Sequence, residues 1–294
     1  MNFSSYRRPA SLVELYALLE RETGNVLFLA GGTDILVQDR ESGKYAGRAV
    51  YDLTAIRELK EIRESGTDLY LGSGATHREI AESMLTQRFA GPLARACAEV
   101  GAVQLRNRAT IGGNIANASP AGDTLGPLAA LDAVICGDCM GELRWIPITE
   151  LIEGPGKLCL SEREFIREIR IPKLREDTQW RFRKVGRRNA MAISRLTLTV
   201  ILRLTAEGTI ADYRAAVGAV FPKPMRFWEI ERQFLNQKLT KRACGEMAEL
   251  LSWQIPKVVG ARASLRYKQP VTKLLSQRLL DEMGGLLEQH SDSL

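Results

Sequence analysis

The sequence predicts an α+β fold in two parts: a larger N-terminal domain of short mixed elements and a small C-terminal α+β domain. Three observations predict it. At 294 residues the chain has room for about two domains, and 45% apolar with 26% charged residues is the mix of a packed globular protein. Helical and extended patterns alternate up to Pro172. After a polar connector, Pro172-Lys-Leu-Arg-Glu-Asp-Thr178, three extended runs precede a helical group, the order of a small α+β domain.

Taken in order, Ser11-Leu-Val-Glu14 has the form of a capping box, and Leu12, Leu15, Leu18 and Leu19 follow at helical spacing. Val26–Leu29 is a short strand running into Ala30-Gly-Gly-Thr-Asp34, and Ala49–Leu53 is the next strand. Glu61–Glu64 and Asp68–Gly72 flank the turn Ser65-Gly66 and read as a hairpin. Thr76-His-Arg-Glu79 is a second capping box, opening a helix to about Met84. Pro92–Val100 predicts a helix, Arg106–Ile115 a glycine-bearing loop, Thr124–Leu131 a helix and Ala133–Cys136 a strand. Phe165–Ile171 is a strand stopped by Pro172. Beyond the connector, Trp180–Val185, Leu196–Leu204 and Ile210–Val220 are strands, with Glu207-Gly208 turning between the last two. Helices are expected at 226–237, 241–254 and 270–288.

Composition excludes several classes. The net charge is +6, and Lys and Arg are scattered rather than gathered on one element. The local groups Arg106–Arg108 and Arg181–Arg188 read as surface or partner-facing charge, so no nucleic acid is expected. The longest apolar runs fall far short of the roughly 18–20 residues needed to cross a bilayer, and no membrane contact is expected. The N-terminal run MNFSSYRRPASLVELY has neither an apolar signal core nor a small-residue cleavage site, so a cytoplasmic location is expected. Five irregularly spaced cysteines do not make a disulfide framework. His77 and His290 are the only histidines, and Cys136-Gly-Asp-Cys139 lacks a second ligand pair, so no metal site is expected. His77 follows a capping threonine and reads as a solvated first-turn residue. The Cys136 and Cys139 thiols read as free.

Two glycine segments carry the chemistry, Leu29-Ala-Gly-Gly-Thr-Asp-Ile35 and Ala109-Thr-Ile-Gly-Gly-Asn-Ile115. Glycine permits positive φ and close approach of a ligand to backbone, and successive N–H groups can then form a nest for an anion. With no Lys or Arg in these segments, a phosphate there would be held by N–H groups and by Thr33, Thr110 or Asn114, which suits a pyrophosphate between two loops. Neither G-x-G-x-x-G nor G-x-x-x-x-G-K-[ST] is present.

The second segment sits in a longer string, Gly101-Ala-Val-Gln-Leu-Arg-Asn-Arg-Ala-Thr-Ile-Gly-Gly-Asn-Ile-Ala-Asn-Ala-Ser-Pro-Ala-Gly-Asp123. With Ala30-Gly-Gly-Thr-Asp34, it closely resembles the FAD-binding (medium) subunit of the molybdenum hydroxylases, which include xanthine dehydrogenase and carbon monoxide dehydrogenase. Gly154-Pro-Gly156, Ile171-Pro172 and Phe182-Arg-Lys184 extend the resemblance over essentially the whole chain. It implies a two-lobed FAD-binding domain of the vanillyl-alcohol-oxidase type over residues 1–175, with lobes at about 1–55 and 56–175. A C-terminal domain at 178–288 would add a three-stranded antiparallel sheet and helices. It implies FAD contacts from Leu27, Phe28, Leu29, Ala30, Gly31, Gly32, Thr33 and Asp34 in the first segment, and from Thr110, Ile111, Gly112, Gly113 and Asn114 in the second. It adds Asp123 on the dinucleotide, Ile166 against the cofactor and Lys184 in the flavin site, with no catalytic acid or base on this chain. The implied function is electron transfer in a hetero-oligomeric oxidoreductase. Electrons would pass from [2Fe-2S] clusters of a small subunit, fed by a large molybdopterin subunit, to FAD and on to an acceptor such as NAD. A self-sufficient FAD oxidoreductase of the same superfamily and a non-catalytic scaffold subunit are the alternatives.

Overall fold

The computed structural model describes residues 2–188 and 191–286. His290 and the last two residues of the expected C-terminal domain and helix, 287 and 288, lie outside the described residues.

The chain opens with β1 (Ser5–Arg7), α1 (Leu12–Glu20), β2 (Val26–Leu29), α2 (Ile35–Ser42) and β3 (Ala49–Asp52). These build a parallel three-stranded sheet in the order β1-β3-β2. Next come β4 (Ile62–Ser65), β5 (Asp68–Gly72), α3 (His77–Glu82), α4 (Met84–Phe89), α5 (Gly91–Ala98), α6 (Val103–Arg106), α7 (Ile111–Asn117) and α8 (Leu125–Ala130). They are followed by β6 (Val134–Cys139), β7 (Glu142–Pro147), α9 (Ile148–Leu151), the small pair β8 (Ile152–Gly154) and β9 (Lys157–Leu158), and β10 (Phe165–Pro172). A five-stranded antiparallel sheet runs β4-β5-β10-β6-β7. The last part holds β11 (Gln179–Val185), β12 (Leu196–Leu204) and β13 (Ile210–Gly218) as an antiparallel sheet. On it pack α10 (Trp228–Gln233), α11 (Lys241–Val259) and α12 (Leu265–Met283). No helix among the described residues is long and apolar enough to cross a membrane.

Three buried clusters match the three sheets. Leu15, Leu19, Val26, Tyr51 and Ile56 join α1 to the parallel sheet. Leu69, Leu93, Ile111, Ile115, Ile135 and Ile169 join the helices α5 and α7 to the five-stranded sheet. Leu198, Val200, Tyr213, Met247, Leu251 and Leu280 fill the C-terminal core. The first two clusters are tied by Asp138 on β6. Its fully buried carboxylate accepts from the Tyr16 hydroxyl of α1 at 2.6 Å and from Arg167 of β10 at 3.1 Å.

The sequence-read strands are present, some with shifted ends, and the differences have local causes. The Thr76/Glu79 capping box forms in full, but its helix ends at Glu82 and Ser83 caps a new one. At Ser11 the box is altered: Ser11 accepts from the Glu14 N–H, while the Glu14 carboxylate takes the N–H of Ala10. β1 and α2 were not expected. β1 is three residues long and exists by pairing with β3. α2 lacks an amphipathic pattern, has only Asp39 buried, and ends on a left-handed Gly43. The expected loop Arg106–Ile115 is corrected to the end of α6, a short turn and the start of α7, so Gly112 and Gly113 lie in a helical first turn capped by Thr110. α11 runs past its expected end at 254 to Val259, through Pro256, and α12 spans Leu265–Met283 where 270–288 is expected, with Pro270 inside it. The missing N–H at each costs one intrahelical bond, and α11 and α12 still pack side by side on the C-terminal core.

Asp132, just after α8 and with φ of 53°, anchors the C-terminal domain to the rest. It pairs with Arg226 and, at 3.2 Å, with Arg214. Buried Arg226 also holds Glu231 at 2.5 Å, and Glu231 in turn accepts the Ala215 N–H of β13. The attraction to Asp132 and Glu231 outweighs burial and holds the Arg226 guanidinium above its ordinary pKa.

Candidate functional site

β2 delivers the first glycine segment to the edge of the parallel sheet, and the β5–α3 turn supports the second. Gly31 lies directly on the backbone of the second segment: a Cβ there would stand 2.2 Å from the Arg108 carbonyl oxygen and 2.9 Å from Ala109 Cα. Gly112 lies on Ser73, where a Cβ would come within 2.5 Å of Ser73 Cβ and 2.8 Å of its carbonyl oxygen. Gly32 has φ of 72°, a left-handed conformation that favours glycine. Side chains reinforce the contact, since Asn117 at the end of α7 donates to Asp34 at 3.0 Å and accepts from Gln38 of α2 at 3.2 Å.

The free donors are distributed unevenly. In the second segment the N–H groups of Ile111, Gly112, Gly113 and Asn114 all have acceptors within the chain: Ala75 O, Ser73 O, Thr110 Oγ1 and Thr110 O. In the first segment the N–H groups of Gly31, Gly32, Thr33, Asp34 and Ile35 have none among the described residues. The expectation that both segments would offer backbone N–H groups is therefore corrected. The nest belongs to the first segment, and the second forms the facing wall. That wall keeps two side-chain donors: the Thr110 hydroxyl hydrogen, and the Asn114 amide NH2, whose carbonyl oxygen is occupied by Thr124 Oγ1 at 2.6 Å. At Gly113 a Cβ would meet only Thr110 Oγ1, at 3.0 Å, so this side of the wall is open. Five unpaired donors opposite a glycine wall are the chemistry of a cradle for a phosphate chain.

The structure places the remaining sequence-read residues as follows. Leu27 is buried, and Phe28 packs on Phe165 with ring centroids 5.3 Å apart. Ile166 is buried on β10 in the same cluster as Ile111. Asp123 and Lys184, sixty-one positions apart, form a buried ion pair with Nζ 2.5 Å from Oδ2. Lys184 also donates to the Glu99 carbonyl at 3.0 Å. It is thus no ordinary surface lysine: its side chain is 9% exposed. Ser194 was missed. It is buried, and its hydroxyl donates to Asp123 Oδ1. No local pattern marks it, because its partner is seventy-one positions away.

His77 overturns its reading as a solvated residue. It is fully buried, with Nδ1 3.4 Å from Cys97 Sγ and Nε2 without a partner among the described residues. Burial, aided by the Arg106 charge, lowers its pKa from 6.5 to about 4. Its own N–H supports the second segment by donating to the Ala109 carbonyl at 3.0 Å. Cys136 and Cys139 are free thiols three positions apart on β6, hence on opposite faces. Burial pushes the Cys136 thiol up to about 11.

Comparison with known proteins places these features in a family. Residues 1–174 match the family model described as the FAD binding domain in molybdopterin dehydrogenase. Residues 180–283 match the CO dehydrogenase flavoprotein C-terminal domain. The chain is 29% identical to the xanthine dehydrogenase FAD-binding subunit of Escherichia coli O157:H7, over 98% of this chain and 99% of that one. It is 30% identical to the caffeine dehydrogenase subunit beta of a Pseudomonas species, over 79% of this chain and 78% of that one. Among solved structures it is similar to carbon monoxide dehydrogenase from Hydrogenophaga pseudoflava lacking the Mo-pyranopterin moiety. That match has 26% identity and a TM-score of 0.83, and covers 96% of each chain.

Proposed function

The chain belongs to the molybdopterin-dehydrogenase FAD-binding family, as an FAD-binding medium subunit of an oxidoreductase, and from that premise we propose that it relays electrons. The relay runs from [2Fe-2S] clusters of a small partner subunit, supplied by a large molybdopterin subunit, through FAD to an acceptor such as NAD, in the cytoplasm. The observation that carries the reading is the unpaired N–H run Gly31–Ile35 facing the glycine wall. Bound there, FAD would supply the step between one-electron donors and a two-electron acceptor.

The chain's own residues do the rest. Leu27 through Asp34 hold the pyrophosphate side, with Thr110, Ile111, Gly112, Gly113 and Asn114 opposite. Asp123 faces the dinucleotide, Ile166 supplies an apolar contact, and Lys184 places a cation where reduced flavin gathers negative charge. The division into an FAD-binding domain at 1–175, with lobes at about 1–55 and 56–175, and a C-terminal domain at 178–288 is supported by the three separate cores. Lys184 reaches from the second of these domains into the first.

Anaerobic flavin reduction tests the relay. The isolated FAD-loaded chain is expected to stay oxidised with purine, aldehyde or N-heterocycle substrates, and to be reduced once the iron–sulfur and molybdenum subunits are added. Rapid reduction of the lone, metal-free chain would replace the relay with a self-sufficient flavoenzyme. Lys184→Met is expected to lower the flavin potential by on the order of 30 mV, equivalent to ~1.4 kcal/mol for a two-electron couple, with FAD still bound. A potential unchanged in spectroelectrochemistry would remove Lys184 from the flavin site.

A further inference from the structure

We propose that Ser194 is a positioning residue: its hydroxyl fixes the Asp123 carboxylate in the orientation that aims the Lys184 ammonium at the FAD site. The inference rests on the reading above that Lys184 faces the flavin. The two oxygens of Asp123 have separate donors, Ser194 on Oδ1 and Lys184 on Oδ2 at 2.5 Å. Among the described residues no other group donates to this carboxylate. Both Asp123 and Ser194 are more than nine-tenths buried, so water cannot readily replace the hydroxyl. An ammonium has three N–H bonds. Two of Lys184's are directed by Asp123 and the Glu99 carbonyl, and those two set the direction of the third. A carboxylate can turn about its Cβ–Cγ bond. Tying Oδ1 to Ser194 stops that rotation and leaves Oδ2 alone toward the lysine.

Asp123 lies just ahead of α8, whereas Lys184 is the penultimate residue of β11 and Ser194 precedes β12. The C-terminal domain therefore sends two side chains to one carboxylate of the FAD-binding domain: the cation and the group that orients its counter-ion. Removing the hydroxyl leaves a buried carboxylate oxygen without a donor. The carboxylate then concentrates its charge on the lysine and cancels more of the cation's field at the flavin.

The test compares Ser194→Ala, Ser194→Thr and Lys184→Met with the wild type as FAD-loaded protein, reading flavin midpoint potential and FAD affinity. Melting temperature confirms that each variant folds. Ser194→Ala is expected to lower the potential, in the same direction as Lys184→Met and by less, while FAD affinity falls by no more than about tenfold. Ser194→Thr, which keeps the hydroxyl, is expected to restore the wild-type potential. A wild-type potential in Ser194→Ala beside a lowered one in Lys184→Met overturns the positioning role and leaves the Lys184 reading standing. Wild-type potentials in both overturn the Lys184 reading, and this inference with it. A lowered potential that Ser194→Thr does not restore also overturns the role, because the effect would then follow packing and not the hydroxyl.

Discussion

Gly31→Ala is expected to weaken FAD binding strongly. One methyl group at this position would stand 2.2 Å from the Arg108 carbonyl oxygen, so the two segments must move apart along their backbones. Overpacking against a backbone that cannot swing aside costs about 1–3 kcal/mol. That cost falls on the separation across which FAD is held, and FAD affinity should drop about 10- to 100-fold. Gly113→Ala is the control: its methyl meets only the Thr110 hydroxyl, at 3.0 Å, and affinity should change far less. Gly32 fails in another way, by its φ of 72°, with a strain of about 1–2 kcal/mol for any L side chain. Fluorescence titration of the apo-protein with FAD measures all three. Native affinity in Gly31→Ala would show that the packed contact between the segments does not shape the site.

The second large effect is a pH dependence of stability. The His77 pKa is about 4 in the folded chain against 6.5 as its ordinary value, because burial disfavours the charged ring. As pH falls through the unfolded value, the unfolded chain takes up a proton that the native chain refuses until about pH 4. His77 therefore costs nothing above the unfolded value, destabilises progressively below it, and reaches its full penalty once pH has passed the folded value. The loss between about pH 7 and about pH 4.5 is about 2 kcal/mol. His77→Leu keeps similar bulk and discards a ring nitrogen that has no partner, so it should be close to neutral at pH 7. Urea unfolding at the two pH values, wild type against variant, reads the difference. Equal losses in both proteins would mean that the ring becomes protonated without unfolding.

Much of the fold was legible because its elements carry local signals. Thr76 and Glu79 cap reciprocally as their spacing requires, and β10 stops at Pro172. What was not legible depends on partners distant in sequence. Gly112 and Gly113 read as loop because glycine costs about 1 kcal/mol in a helix. Ser73, from the end of the hairpin, demands a residue without a side chain at 112, and Thr110 caps the resulting turn. His77 occupies a first-turn position that usually faces solvent, and Cys97 on α5 receives it inside. The helices expected to end at 254 and to begin at 270 run instead through Pro256 and Pro270, where tertiary packing on the C-terminal core holds them.

The candidate site divides in the same way. The glycine segments announced a cradle, and Asp123, Ile166 and Lys184 are proposed beside it from the family resemblance alone. Which segment keeps its donors free could not be read, because the answer depends on Ser73 and Ala75 taking the N–H groups of the second segment. Ser194 gave no sign of itself, since a serine before a strand is commonplace until an aspartate is found beside it.

Gly31 meets Arg108 from more than seventy positions away along the chain, and this separation governs how the protein matures. Closing so long a loop has an entropic cost that grows with the logarithm of its length. Contacts of such long range also form slowly. During synthesis the first segment emerges with no wall opposite it, and its amides face water until the second has been made and folded. Held between the two segments as proposed, FAD would meet only the closed pair, and its binding would stabilise the finished chain by mass action and not the unfinished one. Chains that close without the cofactor would lack this stabilisation and are expected to be removed sooner by cellular proteases. On the proposed site, the expected consequence is that the amount of this protein in a cell rises and falls with the supply of flavin, with transcription and translation unchanged.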